Sequence, residues 1–493
     1  MRRPSKSIFL NLITKSNTMT LKHLNPLKTS EEIFAFFVEL LGADRVVVET
    51  SELKVWGSDW TKVHEPNPVC AVFPKTTEEV SRILKFCNGN HVAIVPSGGR
   101  TGLCAGAVAS QGEVVLSLSK MNKIIDVDRV GLTITVEAGV TTEAVQMAAK
   151  DIGLLFPLDL ASKGSCQIGG NIATNAGGVK LIRYGGMREQ VLGLEVVLAS
   201  GEVLDMNVAL RKNNSGYDLK HLFIASEGTL GVVTKAVLRL VPKPKTLELG
   251  IMAVENFSDI PKILETASLT GVTLTAFEFF TDVAHRIVLK HLPGARSPFA
   301  DSAKFYVLLE IERSGQEPEL EGLLEKLFEQ GIITDATIAN NSQQFKEMWG
   351  LRENITESLA AHGHVRKNDI SLAIDKLDGF VSALETLLTQ LQPKDMELVL
   401  FGHIGDGNLH INYVAPKSGD FKEFHKRARA IEEKIFELLA TFKGSISAEH
   451  GIGLTKKKDL HFTRTVDEIR WMKAIKKQWD PVGILNPGKI FDL

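Results

Sequence analysis

Cysteine is scarce in this chain, and its placement excludes two metal frameworks. Cys70, Cys87, Cys104 and Cys166 are the only four among 493 residues. None forms a CxxC pair, so zinc-ribbon and iron–sulfur readings fail on spacing. Isolated thiols of this kind fit small buried hydrophobes in a reducing compartment. Long apolar runs are missing as well: nothing approaches the roughly 20 residues that cross a bilayer, which leads us to expect a soluble or at most peripheral protein. There is no surplus of one charge, since 57 Lys and Arg stand against 59 Asp and Glu. Nucleic-acid binding by counterion release needs a concentrated basic face, and the sequence offers none. What remains is an ordinary globular composition, 44% apolar and 24% charged, in a chain too long for one core. A two-domain enzyme is the expectation.

The first thirty residues carry Arg2, Arg3, Lys6, Lys15, Lys22 and Lys28 and no acid before Glu31. We read them as a disordered leader on a cytoplasmic protein, with a mitochondrial transit peptide and a matrix location as the alternative. The apolar stretch 8–13 is interrupted by Asn11 and makes a poor secretory signal, and Met19 offers a second start.

Two capping signatures follow. Thr29 with Glu32, and Thr76 with Glu79, each precede an amphipathic run, the first ending at Gly42 and the second near Gly89. Strands are expected at 71–73, 92–95, 113–118, 132–137, 194–198, 203–206 and 232–240. Pro242, Lys243, Pro244 and Lys245 then interrupt the pattern, because proline cannot continue a central strand, and mark a domain boundary. Beyond it, strands at 247–254 and 305–311 alternate with helices at 317–330, 377–391 and 421–439, and the tail is helical from Val466 to Pro481. The division expected is 1–63 for a leader and helical segment, 64–243 and 244–450 for two domains, and 451–493 for a returning C-terminal segment.

Chemistry concentrates in glycine loops and one histidine cluster. Pro96-Ser97-Gly98-Gly99-Arg100-Thr101-Gly102-Leu103 follows a predicted strand, and its bare amides suit a pyrophosphate. It opens no helix in the G-x-G-x-x-G manner, so a Rossmann NAD site is unsupported, and it lacks a Walker ending. A second cluster runs from Gly164-Ser165-Cys166-Gln167-Ile168-Gly169-Gly170-Asn171 to Asn175-Ala176-Gly177-Gly178. Either loop alone reads equally well as tight turns. Two loops with Ser226-Glu227-Gly228-Thr229-Leu230-Gly231 suggest one long ligand.

In the C-terminal half, Gly402-His403-Ile404-Gly405-Asp406-Gly407-Asn408-Leu409-His410 reads as strand, turn, strand, so His403 and His410 face each other across the turn. Strand alternation puts Asn412 on the face of His410. With Glu449 of the Glu449-His450 pair, two imidazoles and a carboxylate suit zinc with an open position, while manganese and iron also fit. Arg352 and Thr356 fall four apart in a helical run over 345–360 and share a face, and Lys367 adds a second cation beside Arg366. The bland reading of these charges is a solvated surface.

The three glycine segments, in this order, resemble the FAD-binding (PCMH-type) domain of the vanillyl-alcohol oxidase superfamily. Pro157-Leu158-Asp159, Arg183-Tyr184-Gly185, Gly216-Tyr217-Asp218-Leu219 and the C-terminal half resemble its D-2-hydroxyglutarate dehydrogenase branch, with D-lactate and glycolate-oxidising relatives. The resemblance covers about residue 50 to the C-terminus. It implies an α+β, two-domain flavoprotein: a PCMH-type FAD-binding domain and an α/β substrate, or cap, domain with an antiparallel sheet. It further implies that the two loops, with Pro157 and Asp159, hold the FAD diphosphate and ribityl chain. Glu227, Gly228, Gly231 and Val232 would serve the adenosine side, and Asn486 would lie near the flavin. Neither loop contains the histidine that tethers FAD in some relatives, so noncovalent FAD is expected. By the same resemblance His403, His410 and Glu449 ligate a divalent metal, with zinc expected. His450 is the base, and Arg352, Thr356 and Lys367, with Asn412, meet the substrate. One departure is Cys104-Ala105, where relatives often carry smaller residues or glycine.

The expected reaction is oxidation of a D-2-hydroxy acid, D-2-hydroxyglutarate to 2-oxoglutarate first and D-lactate or glycolate as the alternative. Electrons would pass to an acceptor such as an electron-transfer flavoprotein or a quinone. A noncatalytic flavin electron-transfer subunit is the rival class, but electron relay needs none of His403, His410, Glu449 and His450. The sequence leaves the oligomeric state open, a homodimer being one option.

Overall fold

The computed structural model describes residues 26–313, 315, 319–391 and 395–493. The basic leader and Met19 lie outside the described residues. The first capping signature forms as read. Helix Ser30–Leu41 starts with Thr29 accepting from the Glu32 amide and Glu32 accepting from the Thr29 amide, and stops at Gly42 at φ +89°. The second forms by half. Thr76 caps helix Thr77–Gly89, but the Glu79 carboxylate turns instead to the Lys75 amide and to two bonds from Arg45. A charge-assisted tertiary pair outcompetes the local reciprocal cap.

These helices cover a four-stranded sheet, in spatial order Val46–Val47, Cys70–Val72, Val114–Ser117 and Ile94–Ser97, whose last three strands run parallel. Ile33, Phe37 and Leu41 of one helix and Val80, Ile83, Leu84 and Cys87 of the other share its core. A five-stranded antiparallel sheet follows: Ile124–Asp128, Thr133–Glu137, Val232–Arg239, Val191–Val197 and Val203–Met206. The glycine loops emerge between these two sheets. Pro242 does not simply end the pattern: strand Val241–Pro242 pairs with Leu154–Leu155 in a two-stranded ribbon, where an absent N–H costs no central ladder bond.

The C-terminal half is built on one seven-stranded antiparallel sheet, in the order Asp335–Ile338, Leu247–Val254, Phe305–Glu312, Thr273–Thr281, Glu397–Gly402, Asn408–Pro416 and Gly363–Ser371. Helices Asp259–Thr270, Leu320–Glu329, Leu377–Leu391 and Phe421–Thr441 pack on one face. Glu317, the expected start of the second of these, lies outside the described residues. The other face meets helices Asp282–His291, Ser342–Glu353 and Ile355–His362. The single helical run expected over 345–360 is interrupted at Asn354, and Arg352 is buried while Thr356 is exposed, so the two do not share one unbroken face. The competing force is burial: Arg352 turns inward to an acidic partner.

After helix Val466–Trp479 the tail returns to the first sheet, where Leu485 bridges Ile94 in parallel and the Asn486 amide donates to the Ile94 carbonyl. The buried Lys476 ammonium fixes this return by donating to the Thr229 and Leu485 carbonyls.

Candidate active site

The first glycine loop lies against the second: a methyl added at Gly99 would stand 2.1 Å from the Ser165 carbonyl oxygen, so only glycine permits this approach. Between them runs a cleft lined by Pro96, Ser97, Gly98, Gly99, Arg100, Thr101, Gly102, Gly169, Gly170, Glu227, Gly228, Gly231 and Val232, with His450 at the same cleft. The buried Ser97 hydroxyl and the Gln167 side-chain oxygen have no hydrogen-bond partner among the described residues, and Ser97 and Gln167 both line the cleft. Glycine amides and free polar atoms fit the diphosphate and hydroxyls of a dinucleotide.

The remaining residues expected at the cofactor lie outside this lining. Leu103, Gly164 and Ser165 belong to the flanks of the two loops. Pro157 is buried, and Asp159 pairs with Lys163 at 2.9 Å. Gly178 packs against the Asp159 carbonyl, and Gly177 beside Glu449. Asn175 caps helix Ile168–Thr174 at φ +49° and accepts from the Arg188 amide. Two of the expected cofactor residues also hold the protein together. The Glu227 carboxylate, at the cleft, accepts from the amides of Ile452 and Gly453 at 2.7 and 2.8 Å. Asn486 donates its side-chain amide to the carbonyls of Gly106 and Glu227. Both tie the returning C-terminal segment to the cofactor loops, because buried polar groups must find partners and the C-terminal backbone is the nearest.

The histidine cluster assembles as its spacing suggests. Strand Glu397–Gly402 ends at His403, a short turn brings Gly407 to φ +83°, and strand Asn408–Pro416 carries His410 back. Ligand atoms of His403, His410 and Glu449 lie within 4.8 Å of one another, with His403 Nε2 3.6 Å from Glu449 Oε1. His403 Nδ1 sits 2.8 Å from Glu278, so that ring donates to a carboxylate there and turns Nε2 toward Glu449. This donor set, with an anchored imidazole, fits a divalent cation. Electrostatics agree. Burial opposes a charged His403, but Glu278 and Glu449 outweigh it and push the ring up to about 9. Burial, reinforced by Asp369, Asp406 and Glu278 against His403, raises the Glu449 carboxyl. Such a site gathers positive charge, and a metal would displace the protons it holds. Burial lowers His410 and His450 despite Asp369, which leaves neutral imidazoles.

Around this cluster the sheet sorts the remaining residues by face. Arg366 points to the helix side and is held by Glu432 at 2.6 Å. Its neighbour Lys367 points the other way, opposite Asn412 in register. Lys367 has no ion-pair partner among the described residues, and burial lowers it. Arg352 Nη2 lies 2.8 Å from Glu278 and the guanidinium sits over the Phe401 ring, while Nε has no hydrogen-bond partner among the described residues. The Asn412 amide nitrogen, also buried, has no hydrogen-bond partner among the described residues. Three residues escaped the sequence reading. Glu278 had a signal, an acid in the apolar run Ala276-Phe277-Glu278-Phe279-Phe280. Asp369 is completely buried beside His410 and His450. Lys456 is buried and donates to the Ile446 carbonyl, a role that no local pattern announces.

Comparison with known proteins agrees with this architecture. The family model described as an FAD binding domain matches residues 68–207, and that of the FAD linked oxidases, C-terminal domain, matches 243–490. A D-2-hydroxyglutarate dehydrogenase of Xanthomonas citri pv. viticola is 45% identical over 91% of this chain and 94% of its own length. A mitochondrial D-2-hydroxyglutarate dehydrogenase of Arabidopsis thaliana is 40% identical over 96% of this chain and 84% of its own. In structure, substrate-bound p-cresol methylhydroxylase superposes with a TM-score of 0.75 at 19% identity, covering 94% of this chain and 97% of that one, which supports the vanillyl-alcohol oxidase-type fold. No helix among the described residues is long and apolar enough to cross a membrane. The cleft, the two matching domains and the full-length similarity together make this chain a member of the D-2-hydroxyglutarate dehydrogenase family of FAD-dependent oxidoreductases.

Proposed function

We propose that the protein oxidises D-2-hydroxyglutarate to 2-oxoglutarate with noncovalently bound FAD and a divalent metal, zinc being the best chemical fit. The observation that carries this reading is a set of buried donors with no acceptor among the described residues, Arg352 Nε and the Asn412 amide, with Lys367, which has no ion-pair partner there, on the same sheet face as Asn412. Uncompensated buried donors are costly, and a dicarboxylate is a ligand that satisfies them.

FAD bound in the cleft would supply hydride-accepting chemistry, and His403, His410 and Glu449 would hold a cation able to lower the pKa of a 2-hydroxyl. The chain's residues do the rest. Asn412 and Arg352 orient the substrate beside the cluster, Lys367 meets the distal carboxylate, and Thr356, exposed at the edge, adds a hydroxyl contact. His450, kept neutral by burial, takes the hydroxyl proton at Nε2, since its Nδ1 lies 3.4 Å from Asp369. Gly177 permits the second glycine loop to pass close to Glu449, which supports a cofactor and a cation held near one another. Reoxidation falls to a separate acceptor such as an electron-transfer flavoprotein or a quinone.

The decisive test is anaerobic mixing with a panel of D- and L-2-hydroxy acids while the flavin absorbance is followed. Rapid bleaching by D-2-hydroxyglutarate, slower bleaching by D-lactate and none by the L-acids are expected. A flavin that no 2-hydroxy acid bleaches refutes the proposal.

A further inference from the structure

Two carboxylates, not one, face the imidazoles of this site, and each does so on the side away from the reacting centre. Glu278 takes His403. Asp369, on strand Gly363–Ser371, is completely buried and lies beside the other two rings. Its Oδ2 accepts from the main-chain amides of Glu449 and His450 at 2.9 and 3.0 Å, and its Oδ1 accepts from the Asn408 side-chain amide at 2.8 Å. The same two oxygens face Nδ1 of both remaining rings, His410 at 3.8 Å and His450 at 3.4 Å. Asp369, Glu449 and His450 also bring ligand-type atoms within 4.8 Å of one another. They share Glu449 with the His403 and His410 grouping, so they extend that cluster and do not make a second cation site.

We infer that Asp369 is a positioning residue that sets the tautomers of His410 and His450 together, holding the proton on Nδ1 of each ring and leaving each Nε2 as a bare lone pair. This rests on the reading of His410 as ligand and His450 as base, and it deepens it. A neutral imidazole has one donor and one acceptor nitrogen, so whatever fixes Nδ1 decides what Nε2 can do. An anionic carboxylate can only accept, and it therefore favours N–H at the nitrogen facing it. The arrangement binds one metal ligand and the proton acceptor to a single buried charge, and the main-chain bonds to Glu449 and His450 bring the second metal-binding loop into the same frame.

Asp369→Asn discriminates this from a packing role, since it keeps the shape and exchanges an acceptor for a donor. Two main-chain amides demand the oxygen at the Oδ2 position, so the new amide group falls at Oδ1, toward His410. Long-range proton–nitrogen spectra of ¹⁵N-histidine protein, carrying FAD and stripped of metal, report which nitrogen bears the proton. His410→Asn and His450→Asn serve only to assign the two signals. In the unmodified protein both rings should carry the proton on Nδ1. In Asp369→Asn the His410 proton should move to Nε2, and zinc binding, measured with zinc alone against a chromophoric chelator, should weaken by about 10–100-fold while FAD stays bound. An unmodified protein with Nε2–H on either ring overturns the inference, and this measurement decides even where the variant fails to fold. Zinc binding that weakens without a change of tautomer overturns it too, because the carboxylate would then act by charge alone. A switched His410 with undiminished zinc binding leaves the inference standing and removes His410 from the metal.

Discussion

Exchanging each of two neighbouring cations for methionine should produce opposite phenotypes, because strand alternation sends them to opposite faces. Lys367 faces the site with no counter-ion among the described residues, so Lys367→Met breaks no ion pair. If it reads the distal carboxylate, the loss is one charge-assisted contact in a partly desolvated pocket, about 1.5–3 kcal/mol. At about 1.4 kcal/mol per decade, kcat/KM for D-2-hydroxyglutarate should fall about 10–150-fold. D-Lactate, which has no distal carboxylate, should be turned over as before. Arg366 bonds Glu432 twice, at 3.2 and 2.6 Å, and Glu432 keeps Arg429 at 2.6 Å. Arg366→Met should therefore cost about 1–2 kcal/mol of stability, discounted for the partial exposure of the arginine and for the partner that remains. It should lower the thermal midpoint and leave the ratio of the two substrates unchanged. Steady-state kinetics on both acids and thermal unfolding of both variants read the four outcomes. Equal losses on both acids in Lys367→Met refute the argument, for they would place that ammonium on the shared carboxylate or in the fold.

Four further outcomes are expected. Acid precipitation should release intact FAD into the supernatant, and flavin retained in the pellet contradicts noncovalent binding. A chelator should abolish activity while the protein stays yellow, and zinc, manganese or cobalt should restore it; full activity in protein that elemental analysis finds free of metal removes the metal's role. His450→Asn should keep FAD and metal but slow flavin reduction by about 10²–10⁴-fold, whereas loss of metal with unchanged reduction in the remaining holoenzyme makes His450 a support. Lys489 is buried 3.8 Å from Glu113, and burial pulls it down to about 8. Its folded value is depressed relative to the unfolded chain, so the cost of keeping it charged is fully present below pH 8 and is relieved as pH rises toward about 10.4. The thermal midpoint should gain an increment between those limits that a Lys489→Met, Glu113→Gln double variant lacks, and equal slopes in the two proteins sink the assignment.

Local chemistry was legible from the chain itself. Thr29 and Glu32 could announce a helix start because a capping box is complete within four residues, and His403, Gly407 and His410 could announce a facing pair because one turn joins their strands. The two glycine loops could be matched to one ligand because bare amides are a local property of the backbone. Tertiary structure decided everything that depends on which face meets which partner. It sent Arg366 to Glu432 and turned Lys367 to the opposite sheet face, that of Asn412, a choice that two adjacent cations cannot express. It broke the helix at Asn354 so that Arg352 could reach Glu278, 74 residues away in a run of phenylalanines. It bound the Glu227 carboxylate to the amides of Ile452 and Gly453, and it brought Asp369 under both His410 and His450. The physical reason is common to all four. A charge that leaves water must find its partner in space, and for a buried carboxylate that partner is set by the packing of sheets and returning segments, not by the residues beside it in the chain.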